Sequence, residues 1–230
     1  MTVRVDIEAG MGLLTLDRPE RAHAYDRTML EQLQAGIRRL RTAVPVVLVQ
    51  STGDRAFCGG ADLKQLSKAD PLDALDLYSQ EVFDTLARSP LISVCAVQGP
   101  AVGGGCELAL ACDLRVVGPE AAFRLPETRL GLIPAAGGCT RLPRLVGPSL
   151  AKQVILAGEQ ITAAQAAHHG LAIGPVDDPR AVARALCQSL LSRDPVALRL
   201  AKGIIDGDST GSSLADERVA EALLYSRRQG

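Results

Sequence analysis

The residues with chemistry to offer in this chain are two glutamates set among glycine loops. Glu107 follows Gly103-Gly104-Gly105-Cys106 and leads a run of helix formers to Ala111, while Glu127 lies just past Phe123-Arg124-Leu125-Pro126. Both stand in apolar surroundings, and the whole chain holds only three histidines. Glycines ahead of a helix let a ligand approach the backbone, and the free N–H groups of a first helical turn favour developing negative charge. Two such donors aimed at a carbonyl oxygen stabilise the enolate that forms when a neighbouring carbon gains or loses a proton or a nucleophile. A carboxyl group then moves that proton, and burial tunes its pKa towards neutrality. These residue types point to enolate chemistry run by backbone donors and glutamates.

Three strand-to-loop junctions have to position them. The apolar run Leu91 to Val97 reads as a central strand that stops at Gly99-Pro100, and the triple glycine then leads into a short buried helix. A second glycine loop, Ser51 to Lys64, follows the strand Val46 to Val49, with Asp62 suited to cap a short helix. A third, Gly131 to Gly138, follows Glu127. Around these, Val3 to Ile7 and Leu13 to Leu16 predict an opening hairpin, and Leu114 to Val117 and Ala122 to Leu125 predict further strands. Helical spacing predicts helices over Arg27 to Arg41, Pro71 to Arg88, Ser149 to Leu156, Ala163 to His168, Arg180 to Leu191 and Leu214 to Arg228. Strand and helix alternate first and helices dominate later, an α/β arrangement.

Composition narrows the classes. With 230 residues and 47% hydrophobic content the chain can bury a substantial core, and no long low-complexity linker splits it. The 25 Lys plus Arg nearly cancel the 26 Asp plus Glu, so no global basic field recruits nucleic acid or an anionic membrane. The six cysteines include no Cys-x-x-Cys pair and no clustered histidine, which favours neither a metal site nor a disulfide framework and fits a reduced, cytoplasmic chain. Met1 to Asp6 lacks the apolar run of a secretion signal, and no uncharged stretch reaches the length of a membrane span.

Competing motifs fall short. A G-x-G-x-x-G dinucleotide pattern starting at Gly103 would require glycine where Leu108 stands. Gly207-Asp208-Ser209-Thr210-Gly211 matches the G-x-S-x-G nucleophile elbow, yet no histidine follows Ser209 and no strand precedes it, so a polar linker is the better reading. His168 and His169 read as surface helix residues, and Cys58, Cys106 and Cys112 as small buried apolar groups.

Four ordered motifs together resemble the crotonase, or enoyl-CoA hydratase/isomerase, superfamily over nearly the whole chain. They are Arg18-Pro19-Glu20-Arg21-Ala22-His23-Ala24-Tyr25, Phe57-Cys58-Gly59-Gly60-Ala61-Asp62-Leu63-Lys64, Gly103-Gly104-Gly105-Cys106-Glu107-Leu108-Ala109, and Phe123 to Glu127 with Gly131 to Gly138. The resemblance implies a crotonase spiral of β–β–α units over residues 1–195 and a helical trimerisation region over 196–230, with a homotrimer or a pair of stacked trimers. It further implies that the N–H groups of Ala61 and Gly104 form an oxyanion hole for a thioester carbonyl. Glu107 matches the glutamate that activates water, and Glu127 the one that delivers a proton to the carbon alpha to the thioester. Having both favours hydration of a 2-enoyl-CoA, because an isomerase needs only the second.

For coenzyme A the family pattern implies Arg21, Ala22, His23, Arg55, Gly59, Asp62, Leu63 and Lys64, with CoA entering as part of the substrate and no separate cofactor. Three departures stand out. His23 replaces the usual asparagine, Cys139-Thr140 replaces the usual Thr-Gln, and Arg227-Arg228-Gln229-Gly230 stands where the resemblance leads one to expect a closing helix, which implies that a partner subunit is one source of part of the acyl-pocket cover and of a phosphate-binding lysine, their absence being the other outcome. Isomerase, decarboxylase or thioester hydrolase chemistry on the same fold, or a CoA-binding subunit without turnover, are the alternatives, since fold does not fix function.

Overall fold

Continuous apolar runs become strands that are buried on both faces. In the computed structural model, which describes residues 2–62, 77–207 and 214–228, β1 (Val3–Glu8), β2 (Met11–Leu16), β3 (Val46–Ser51), β4 (Ile92–Val97) and β6 (Leu114–Val117) form a sheet in that order. The first pair is antiparallel and the others run parallel. Parallel strands covered on both faces need no polar alternation, which is why β2, β3 and β4 read as unbroken apolar segments. Their two-residue period still sorts the side chains. Leu14, Leu16, Val47, Val49, Cys95 and Val97 enter one core with α1 (Arg27–Leu40) and α2 (Tyr78–Ala87). Met11, Leu13, Val46, Leu48, Val94 and Ala96 enter a second core with Ala183, Cys187 and Leu190 of α6 (Pro179–Leu191).

A second sheet is smaller. β5 (Ala101–Val102), β7 (Ala122–Arg124) and β8 (Ile161–Thr162) pair in the order β5-β7-β8, and between β5 and β6 lies α3 (Gly104–Ala111), whose eight residues are all buried. A helix apolar on every side belongs inside a core. The second half adds α4 (Gly138–Ile155), α5 (Ala163–His168), α7 (Pro195–Asp206) and α8 (Leu214–Arg228) beside α6.

Some expectations shift. Gly104 and Gly105 lie inside α3 rather than before it, with Gly103 as the cap. The third glycine loop is followed at once by α4, a much longer helical stretch than Ser149 to Leu156; Pro143, Pro148 and Gly147 disguise it, and Gly147 breaks it into 138–146 and 148–155. α7 and the two-residue strand β8 were not foreseen individually. Of the helix expected over Pro71 to Arg88, residues 71–76 lie outside the described residues. His168 and His169 are exposed, and the thiols of Cys58, Cys106 and Cys112 are buried and free. No helix among the described residues is long and apolar enough to cross a membrane.

Candidate active site

The N-terminus of α3 is held from two directions. Val102 N–H donates to Cys58 O (2.9 Å), and Gly103 N–H donates to Arg124 O of β7 (2.8 Å). Gly103 takes φ +54°, and a side chain there would meet Glu127 Oε1 at 2.9 Å, so both its backbone conformation and its neighbour demand glycine. At the other end, the buried Arg115 guanidinium donates to the carbonyls of Ala109 and Cys112, and also to Leu171 and Asp113. It caps the orphan carbonyls of α3 with a cation, where helix polarity favours one.

The second donor loop is laced to the first motif. Gly59 N–H donates to Ala22 O, Tyr25 N–H to Gly60 O and Asp62 N–H to Tyr25 O, while the Cys58 thiol donates to His23 O at 3.2 Å. The position of a Gly60 Cβ would lie 3.2 Å from Gly104 N, which brings the residue before Ala61 against the start of α3. The N–H groups of Ala61 and Gly104 meet no acceptor among the described residues. A backbone donor without a protein acceptor can serve an incoming one.

Both glutamates converge on the same helix end. Glu107 is buried, and its Oε1 accepts the Gly138 N–H at 2.8 Å, at the first turn of α4. Burial drives its pKa up from 4.5 to about 7; the Gly138 N–H opposes that rise and the charge of Glu127 adds to it. Glu127 sits on a 3-10 turn, Glu127–Leu130, and burial raises its pKa as well. Its Oε1 faces Gly103, and its buried Oε2 has no hydrogen-bond partner among the described residues. A carboxyl group with one oxygen unserved is poised to exchange a proton with whatever enters.

The remaining expected residues separate into surface and frame. Arg21, Ala22 and Arg55 are exposed, and neither arginine has an ion-pair partner among the described residues. Gly59 is half-buried. The Asp62 carboxylate pairs with Arg18, which also pairs with Asp26. Leu63 and Lys64 lie outside the described residues. His23 is buried with φ +55°, a region that asparagine and histidine both tolerate better than most side chains. Its Nδ1 accepts the Arg18 N–H and its Nε2 donates to Thr52 O, an assignment that requires the neutral ring. Burial lowers its pKa in keeping with that state.

Three residues around α3 take roles that the sequence spacing does not mark, two at the site and one at the far end of the helix. Gly138 anchors Glu107, Arg115 caps the helix, and the Tyr25 hydroxyl lies against Gly104. The tyrosine was visible at the end of the first motif, but nothing in the spacing aimed it at a glycine 79 positions away.

The mixed α/β fold is that of crotonase-fold proteins. A family model described as enoyl-CoA hydratase/isomerase matches residues 6–229, and the chain belongs to that family. It is 39% identical to the 2,3-dehydroadipyl-CoA hydratase of Escherichia coli over 92% of this chain and 86% of that protein. The crystal structure of an enoyl-CoA hydratase from Bacillus anthracis superposes with a TM-score of 0.91 at 31% identity, covering 96% of this chain and 90% of the other. DspI from Pseudomonas aeruginosa gives 0.92 at 33% identity, covering 97% and 88%.

Proposed function

We propose that the chain hydrates 2-enoyl-CoA thioesters to 3-hydroxyacyl-CoA. The observation that carries this reading is the buried Glu107 and the half-buried Glu127 beside one helix N-terminus, with the pKa of Glu107 raised to about 7. In the proposed step, Glu107 takes a proton from water as the water oxygen bonds to the beta carbon. The π electrons of the double bond move towards the thioester carbonyl, whose oxygen is held by the Ala61 and Gly104 N–H groups. Glu127 then donates its proton to the alpha carbon, and a proton passes back from Glu107 to reset the pair. Water and alkene are consumed and one alcohol is formed, with no cofactor beyond the CoA of the substrate.

The CoA part is proposed to bind Arg21, Ala22, His23, Arg55, Gly59, Asp62, Leu63 and Lys64, with the basic side chains of Arg21, Arg55 and Lys64 near its phosphates. The exposed guanidinium groups of Arg21 and Arg55 support this assignment, because phosphate recognition suits arginine. His23 is proposed to act through its carbonyl and its hold on the loop, since its ring is occupied. An assay on crotonyl-CoA and on branched and aromatic enoyl-CoAs, read by product mass, tests the reading. Gain of one water supports hydration, an unchanged mass with a moved double bond supports isomerisation, and an inert wild type across the panel overturns it. Glu127→Gln is expected to abolish turnover while CoA-ester binding persists.

A homotrimer or stacked trimers are proposed for the assembly. Ile205 of α7 and Val219, Leu223 and Tyr225 of α8 expose large apolar side chains, which supports burial against another copy.

A further inference from the structure

Tyr25 links both candidate donors. Its main chain bridges to Ala61, exchanging hydrogen bonds with Gly60 and Asp62, while its side chain crosses to α3. A Cβ placed on Gly104 would fall 1.8 Å from the Tyr25 hydroxyl oxygen and 2.6 Å from Cζ, so the phenol fills the space that an ordinary side chain at 104 would occupy. The ring packs edge-to-face on Phe83 of α2 at 5.8 Å and 87°. It is buried, and both glutamates act on it electrostatically. A side chain held this way cannot swing aside without losing the aromatic contact.

A thioester carbonyl held by Ala61 and Gly104 N–H would have its acyl carbons running alongside this end of α3. We propose that Tyr25 is the wall that limits acyl length, so that the site takes short acyl groups and its selectivity is set by the ring rather than by the hydroxyl. This rests on the acyl-CoA reading above. Leucine at this position would lack the outer ring atoms and the oxygen, opening room beside Gly104 for additional methylenes.

The test compares kcat/KM for 2-octenoyl-CoA and crotonyl-CoA in wild type, Tyr25→Leu and Tyr25→Phe, with circular dichroism to check folding. The leucine variant is expected to raise the octenoyl-to-crotonyl ratio by about tenfold or more, since a methylene accommodated or refused in an apolar pocket changes specificity on that scale. The phenylalanine variant keeps the wall and is expected to keep the wild-type ratio. An unchanged ratio in Tyr25→Leu overturns the proposal, and a ratio that shifts equally in Tyr25→Phe overturns the assignment to the ring. Tyr25→Met replaces the leucine variant if that one does not fold. Calorimetric binding of octanoyl-CoA against butyryl-CoA separates the two proposals. A length preference that shifts in Tyr25→Leu without any hydration by wild type keeps the wall and discards the hydratase, whereas hydration with an unshifted preference does the reverse.

Discussion

Glu107 is costly to the fold and useful to the site for one reason. Burial lifts its pKa from the ordinary 4.5 to about 7, so the folded chain holds a proton that the unfolded chain releases between those values. The native state therefore binds more protons there, and stability is fully present below pH 4.5 and falls as pH rises to about 7, by about 3 kcal/mol. Glu107→Gln is expected to flatten that part of a urea-denaturation profile and to leave the variant more stable than wild type above pH 7. If Glu107 is the base, kcat/KM of wild type falls as pH drops below about 7, because the ionised form is lost. The upward shift of Glu127 extends the range in which that acid keeps its proton, so the profile is a bell whose limbs belong to the pair. Gly103→Ala is a second residue-scale test. It places a side chain at φ +54° against Glu127 Oε1 and is expected to cost about 1–3 kcal/mol in a denaturation curve, with most of the turnover lost. Both glutamates were legible from their motifs. Their pKa values were not, since desolvation depends on Gly138 and on packing that no spacing encodes.

The hydrophobic period gave the strands of the main sheet and most helices at nearly their observed bounds. Apolar runs that alternate between two cores have few other solutions. It failed where backbone signals conflict with packing. Pro143, Pro148 and Gly147 read as breakers, yet α4 accommodates them around a kink, and its first turn supplies the donor to Glu107. β8 has only two residues, too short for periodicity to mark. At this scale Arg115 is the informative residue, because it ties the C-terminal end of α3 to Leu171. Arg115→Leu leaves the Ala109 and Cys112 carbonyls without that cation and is expected to cost about 3 kcal/mol, measured by urea denaturation. It does so without touching the candidate site, since the guanidinium lies at the opposite end of the helix.

Long-range ties close the molecule. Lys202 of α7 reaches back to the Asp113 carboxylate and the Leu91 carbonyl, which fixes the late helices to the central sheet. If the apolar side chains of α7 and α8 meet another copy, sedimentation velocity will find a multiple of the chain mass, and Leu223→Asp will reduce it to the single chain. A monomer in wild type at micromolar concentration would refute the proposed trimer.

Arg180, on α6, donates to the carbonyls of Ser51 and Gly53 and pairs with Asp54. Gln98 and His23 grip the same loop from two other elements. Residues 51–56, which carry Arg55, are thus fastened by side chains from three distant parts of the chain. Their amides should exchange with heavy water only when larger units open, so Arg180→Ala should speed deuterium uptake in this loop while uptake in α3 stays at the wild-type rate. The loop's timescale is then set by a helix more than a hundred residues downstream.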